Sequence, residues 1–126
     1  MKLHHIGFVV NDILKYEQLF LFEKKVKEIF DPIQNSQMAL YTNFSNSFIE
    51  LIQPLNEKSF TYNFLHKNGN CYHHLCYEVY SNDDMNRIVR DQKLILVKGP
   101  LPALLFDNRE VWFYYSRTKQ ILEFLI

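Results

Sequence analysis

The sequence predicts an α+β fold of two tandem βαβββ modules, and three observations predict it. The chain matches itself: residues 4–10 read His-His-Ile-Gly-Phe-Val-Val and residues 73–79 read His-His-Leu-Cys-Tyr-Glu-Val. Likewise Phe-Ile-Glu-Leu-Ile at 48–52 returns as Ile-Leu-Glu-Phe-Leu at 121–125. The two offsets, 69 and 73 positions, differ by what one altered loop introduces. Each copy opens with an alternating strand-like run followed by a helix-capping pair. Finally, 126 residues with 48% apolar and 16% aromatic content suit one domain with a packed core and leave no room for a separate cofactor domain.

The elements follow in order. Residues 3–10 alternate and are rich in Ile, Val and Phe, which predicts a strand. Asn11-Asp12 offers a cap, and Ile13, Tyr16, Leu19 and Phe20 recur at helical spacing. Three extended pieces follow, near Lys25–Phe30, Gln37–Tyr41 and Ser47–Gln53, completing a first module over about residues 1–57. A linker over about 58–70 holds a short helix capped by Ser59, carrying Phe60, Phe64 and Leu65 and ended by Asn68-Gly69. The second module, about 71–126, repeats the pattern with a strand at 72–80 and a cap at Asn82-Asp83. Its helix presents Met85, Ile88 and Val89 on one face, and strands lie near 93–98, 110–116 and 120–126.

Charge and cysteine content narrow the function classes. Fourteen basic and 14 acidic residues give a formal net charge of zero, which offers no electrostatic reason to expect nucleic acid or an anionic membrane as partner. His4, His5, Asn11 and Asp12 interrupt any apolar leader, and no apolar run approaches spanning length. Cys71 and Cys76 fit neither a disulfide framework nor a zinc ribbon and read as free thiols. A cytoplasmic protein is expected.

Strand parity selects the polar residues that matter. Side chains alternate between faces, so His5 lies on one face of the first strand with Leu3, Gly7 and Val9, while His4, Ile6, Phe8 and Val10 face the helix. On the repeat strand His74, Cys76 and Glu78 share the face equivalent to that of His5. Glu50 and Glu123 are lone carboxylates inside apolar strands, and burying such charges is costly unless a cation compensates them. Each copy thus offers one His and one Glu. Two imidazoles and two carboxylates suit one divalent ion that takes mixed nitrogen and oxygen ligands, such as Co, Ni, Mn or Zn.

At these residues the chain resembles the vicinal oxygen chelate superfamily, the glyoxalase, bleomycin-resistance and dioxygenase group. His-His-Ile-Gly-Phe-Val-Val is similar to the opening strand of its methylmalonyl-CoA epimerase and small glyoxalase I-like branch, Phe-Ile-Glu-Leu-Ile-Gln-Pro-Leu to its mid-chain strand, and Ile-Leu-Glu-Phe-Leu to its closing strand. The resemblance implies a curved, partly open sheet with a metal and substrate cleft on its concave side, metal ligands at His5, Glu50, His74 and Glu123, and a homodimer. His4 and His73 would be structural or support the ligands. The implied activity is proton abstraction next to a thioester or ketone carbonyl, most like an acyl-CoA epimerase, with a lactoylglutathione lyase-like isomerisation as the alternative. Glu123 or Glu50 would carry the proton, and Glu78 is a further candidate. The implied substrate is an acyl-CoA thioester or a thiol adduct.

Other members of the superfamily bind ligands without chemistry, as resistance proteins do, and Tyr41, Phe113 and Tyr115 are candidate cleft liners on either view. An iron dioxygenase site uses two histidines and one glutamate, which would leave Glu50 or Glu123 surplus. Epimerases carry a carboxylate in a Pro-Glu-Gln-Gly-like stretch between the second and third strands. Here that stretch reads Pro32-Ile33-Gln34-Asn35, and Asp31 is the nearby carboxylate. All four arginines lie in the second half. Residues 99–106 form the candidate substrate loop, with Arg109 placed after it to meet an anion.

Overall fold

The computed structural model describes residues 1–19 and 22–126. Its elements are β1 (Lys2–Val9), α1 (Ile13–Glu17), β2 (Lys24–Asp31), β3 (Ser36–Thr42), β4 (Phe48–Pro54), α2 (Tyr62–Asn68), β5 (Cys71–Glu78), α3 (Asn82–Gln92), β6 (Ile95–Ala103), β7 (Arg109–Tyr115) and β8 (Ile121–Leu125). A 3-10 turn at Leu104–Phe106 joins β6 to β7. The strands form one curled mixed sheet in the order β2-β3-β4-β1-β5-β8-β7-β6. That order is symmetric about the β1–β5 pair. Within each half the first strand pairs in parallel with the last, β1 with β4 and β5 with β8, whereas β1 and β5 run antiparallel.

Two apolar layers cover the outer face. Ile13 of α1 packs with Ala39, Tyr41, Ile49 and Leu51, with Ile6 and Phe8 against them. Met85 of α3 packs with Val79, Tyr114 and Phe124, and Ile88 and Val89 extend the contact. The spacing of these three α3 residues brings one side of the helix onto the sheet, as the periodicity predicts. The inner face is lined across both halves by Met38, Leu40, Ile52, Cys76, Val111 and Phe113, and Leu105 and Phe106 of the 3-10 turn fill its hollow.

Several local expectations change. α1 ends at Glu17 and Leu19 is 84% exposed, so the helical spacing of Leu19 is not used for packing; Phe20 lies outside the described residues. Ser81, one residue earlier than expected, caps α3 by accepting from the Asp84 N–H. Ser59 does not cap α2, which follows Thr61 without a side-chain cap; the Ser59 hydroxyl donates instead to the Asn35 carbonyl. Gly69 does end α2 with a positive φ of 73°. The expected loop at 99–106 is mostly strand: β6 runs through Pro100 and Pro102 to Ala103. An edge strand tolerates proline, because a missing N–H there breaks no ladder on its open side. Among the described residues no helix is long and apolar enough to cross a membrane.

Candidate metal centre

The two histidine doublets sit where the central ladder is irregular. Along β1 and β5 the register shifts between Leu3 and His5, skipping His4, and between Gly7 and Phe8, where the partner strand skips His73. An extra residue in one strand is a bulge, and it breaks the simple alternation of faces. His4 therefore joins His5 on the inner side, against Phe48 and Phe106, instead of facing the helix as parity alone predicts. His73 likewise turns inward against Phe60 and Phe64. Within each doublet the Nδ1 atoms approach, at 2.8 Å for His4 and His5 and 2.9 Å for His73 and His74.

His5, Glu50, His74 and Glu123 converge beneath the inner face. The His5 and His74 Nε2 atoms are 3.1 Å apart, and His74 Nε2 lies 2.8 Å from Glu123 Oε2. Glu50 stands 3.7 Å from each imidazole, beyond hydrogen-bond reach, and all four donor atoms fit within 4.8 Å of one another. None of the four residues is more than 2% exposed. Register explains the convergence. Gly7 of β1 lies between Glu50 on β4 and His74 on β5, and Cys76 of β5 lies between His5 on β1 and Glu123 on β8.

Gly7 is a site residue that the sequence reading left unassigned. A Cβ there would stand 2.2 Å from His74 Cε1, so the missing side chain is the space the imidazole occupies. The signal was present: Gly7 and Cys76 are both small and stand at equivalent places in the two copies.

The electrostatics show a deficit of positive charge. Burial, with Glu123 beside it, pushes the Glu50 carboxyl up to about 8. Burial acts upward on Glu123 as well, but the charges and hydrogen bonds of His74 and His5 outweigh it and hold Glu123 well below the usual carboxylate range. Burial and the neighbouring His5 lower His4 to about 4; burial and His74 lower His73 to about 3. Both outer imidazoles are thus neutral near pH 7. Neither oxygen of Glu50 has a hydrogen-bond partner. Two imidazoles, two carboxylates and a pair of orphaned buried oxygens fit a divalent cation, whose charge would balance both glutamates.

The remaining predicted residues divide. Phe113 packs edge-on against His74, at 5.6 Å between centroids, and Phe106, which sequence reading assigned only to a loop, stacks on His5 at 5.1 Å. Arg109 and Glu78 are bound to each other at 2.5 Å, a bond that lowers the Glu78 pKa and occupies its carboxylate away from the four-residue cluster. Arg109 also lines a groove with His4, Lys27, Phe48, Phe106 and Asp107. Tyr115 lines a second groove with Phe60, Phe64 and His73. Tyr41 is not a cleft liner: it lies in the outer layer, stacked on Phe22 and donating to Glu17. Asp31, wholly buried at the end of β2, accepts through Oδ1 from the Ile33 and Gln34 N–H groups, and its Oδ2 has no partner.

A curled eight-stranded sheet of two like halves, with a His–Glu pair from each meeting at its centre, defines a class of protein. The chain belongs to the glyoxalase/bleomycin resistance protein/dioxygenase superfamily, whose family model matches residues 4–113. It is 25% identical over 122 residues to the mitochondrial methylmalonyl-CoA epimerase of Dictyostelium discoideum, covering 93% of this chain and 72% of that one. The crystal structure of methylmalonyl-CoA epimerase from Mycobacterium tuberculosis is similar with a TM-score of 0.81 and 25% identity, over 98% of this chain and 86% of that chain. A Streptomyces coelicolor methylmalonyl-CoA epimerase variant in complex with 2-nitronate-propionyl-CoA shares the fold with a TM-score of 0.80 at 20% identity, over 99% and 93% of the two chains.

Proposed function

We propose that this chain is a divalent-metal-dependent epimerase of acyl-CoA thioesters of the methylmalonyl-CoA type. The observation that carries the reading is the buried His5–Glu50–His74–Glu123 cluster with its unpartnered Glu50 oxygens, in a chain similar along nearly its whole length to epimerases. Those four residues would hold the cation, which when bound polarises the carbonyl of the substrate and favours loss of the proton on the neighbouring carbon. Moving that proton falls to the carboxylates. Glu50 comes from β4 in one half of the sheet and Glu123 from β8 in the other. Inversion at one carbon requires a proton taken from one face and returned to the opposite face, a task suited to two carboxylates reaching in from opposite sides.

Asp31 is a further buried carboxylate, outside the four-residue cluster, whose charge raises Glu50 and whose Oδ2 has no partner. Phe106 and Phe113 shield His5 and His74 from water, which protects the reacting carbon from stray protonation. Lys27 and Arg109 line a groove, paired there with Asp107 and with Glu78, and the phosphates of a CoA thioester would compete with those carboxylates for them. The proposal takes it to work in the cytoplasm as a homodimer.

Deuterium incorporation tests the function. The chain, loaded in turn with Co, Ni, Mn or Zn, is incubated in heavy water with acyl-CoA thioesters and with 2-oxoaldehyde–thiol adducts. Label next to the carbonyl of a methylmalonyl-CoA-type thioester is expected. Label confined to the thiol adducts would assign a lactoylglutathione lyase-like reaction instead, and silence across the panel would leave a non-catalytic binding protein.

A further inference from the structure

We propose that His4 and His73 are positioning residues that fix the tautomers of His5 and His74, so that each inner imidazole presents a free Nε2 lone pair to the cation; this rests on the metal-centre reading above. Two ring nitrogens at hydrogen-bond distance share a single proton, so one donates and the other accepts. The contacts are Nδ1 to Nδ1 in both doublets, at 2.8 and 2.9 Å. A neutral imidazole that gives its Nε2 lone pair to a cation carries its proton on Nδ1. His5 and His74 therefore donate, and His4 and His73 accept. Accepting at Nδ1 in turn places the proton of each outer ring on its Nε2.

The arrangement occurs twice, once per half, and each instance depends on a bulge. In a regular strand the residue before His5 or His74 would point to the opposite face and could not reach its neighbour's ring. Aromatic packing then holds each outer ring in place. His4 meets Phe106 edge-on at 85° and His73 meets Phe64 edge-on at 90°. The choice of imidazole also has an electrostatic consequence. A carboxylate in the same role would add charge to a centre where Glu50 and Glu123 already match a divalent cation, whereas a neutral ring orients the ligand and leaves that balance intact.

Zinc titration and NMR of the full chain test the proposal together. Zinc affinity is measured for the unsubstituted chain and for His4→Phe, His73→Phe, His4→Asn and His73→Asn. Phenylalanine keeps the ring but removes the acceptor, and a loss of about 10–100-fold in affinity is expected. Asparagine sets its Oδ1 where Nδ1 stood, and most of the affinity should return. Long-range proton–nitrogen spectra of the zinc-loaded unsubstituted chain should show His5 and His74 protonated at Nδ1, and His4 and His73 at Nε2. These spectra decide the matter even if a phenylalanine variant fails to fold. Unchanged affinity in both phenylalanine variants, or Nδ1 protons on His4 and His73, would overturn this proposal alone. Absence of zinc binding by the unsubstituted chain would overturn it together with the metal-centre reading.

Discussion

His5 and His74 bring their Nε2 atoms to within 3.1 Å of each other across 69 residues of chain. The approach depends on Gly7, which faces His74 across the β1–β5 ladder and leaves its ring room to lie flat on the strand. In a Gly7→Ala chain the buried His74 ring must shift to clear the new methyl group, an overpacking that costs about 1–3 kcal/mol. Misplacement of a ligand by about 1 Å costs on the order of a hundredfold in rate. Exchange activity should fall by about that factor, and the urea midpoint should fall with it. Full activity in Gly7→Ala would contradict the described packing.

Stability of the metal-free chain should have a maximum near pH 6.5. His4 and His73 hold their protons less tightly folded (about 4 and 3) than the ordinary 6.5, so stability rises with pH across that interval. Glu50 acts in the opposite sense, because the folded chain keeps its proton up to about 8 and the unfolded chain releases it near 4.5. Glu123, held low, titrates only beneath the ordinary carboxylate range. Above pH 6.5 the Glu50 contribution prevails over the residual gain from the two histidines, and a net loss of about 1 kcal/mol is expected by pH 8. Urea titrations in chelator should show this decline, and Glu50→Gln should flatten it. Saturating cation should abolish it too, because a bound Glu50 stays ionised. A decline that persists in Glu50→Gln would assign it to another group.

Arg109 and Glu78 form a partly exposed ion pair, and such pairs contribute about 0–1 kcal/mol. Arg109→Met should therefore leave the melting temperature nearly unchanged. If Arg109 meets an anionic part of the substrate, KM should rise about tenfold with kcat preserved. An unchanged KM would confine Arg109 to its bond with Glu78.

Tyr41 and Phe113 give a paired control. Tyr41→Phe removes the hydroxyl that donates to Glu17 in the outer layer, at a cost of about 1 kcal/mol, with activity intact. Phe113→Ala removes the ring beside His74 and should depress activity as well as stability, since a deleted core phenylalanine costs about 3–5 kcal/mol. Equal effects of both changes on activity would place Tyr41 at the cleft after all.

Much of this was legible in the chain before its structure. The self-match paired His5 with His74 and Glu50 with Glu123, and strand alternation aimed all four at one face. The bulges were not legible, because an inserted histidine between a strand and its twin histidine leaves no trace in the hydrophobic pattern. Alternation consequently sends His4, and by the same count His73, to the wrong side. Tyr41 was chosen for its chemistry, although it alternates with Met38 and Leu40, the inner-facing residues of β3. The two prolines of β6 read as a loop because proline argues against a central strand, and β6 is an edge. Phe106 was hidden for a different reason: a three-residue 3-10 turn has no period to detect.

Counting bound cations tests the central claim most directly. Equilibrium dialysis of the unsubstituted chain against Co, Ni, Mn and Zn, followed by elemental analysis, should give one divalent ion per chain. His5→Ala/His74→Ala and Glu50→Gln/Glu123→Gln double variants, shown to be folded by circular dichroism, should bind almost none. One ion per chain in the unsubstituted protein and in both folded variants would contradict the assignment of His5, Glu50, His74 and Glu123 as the metal centre.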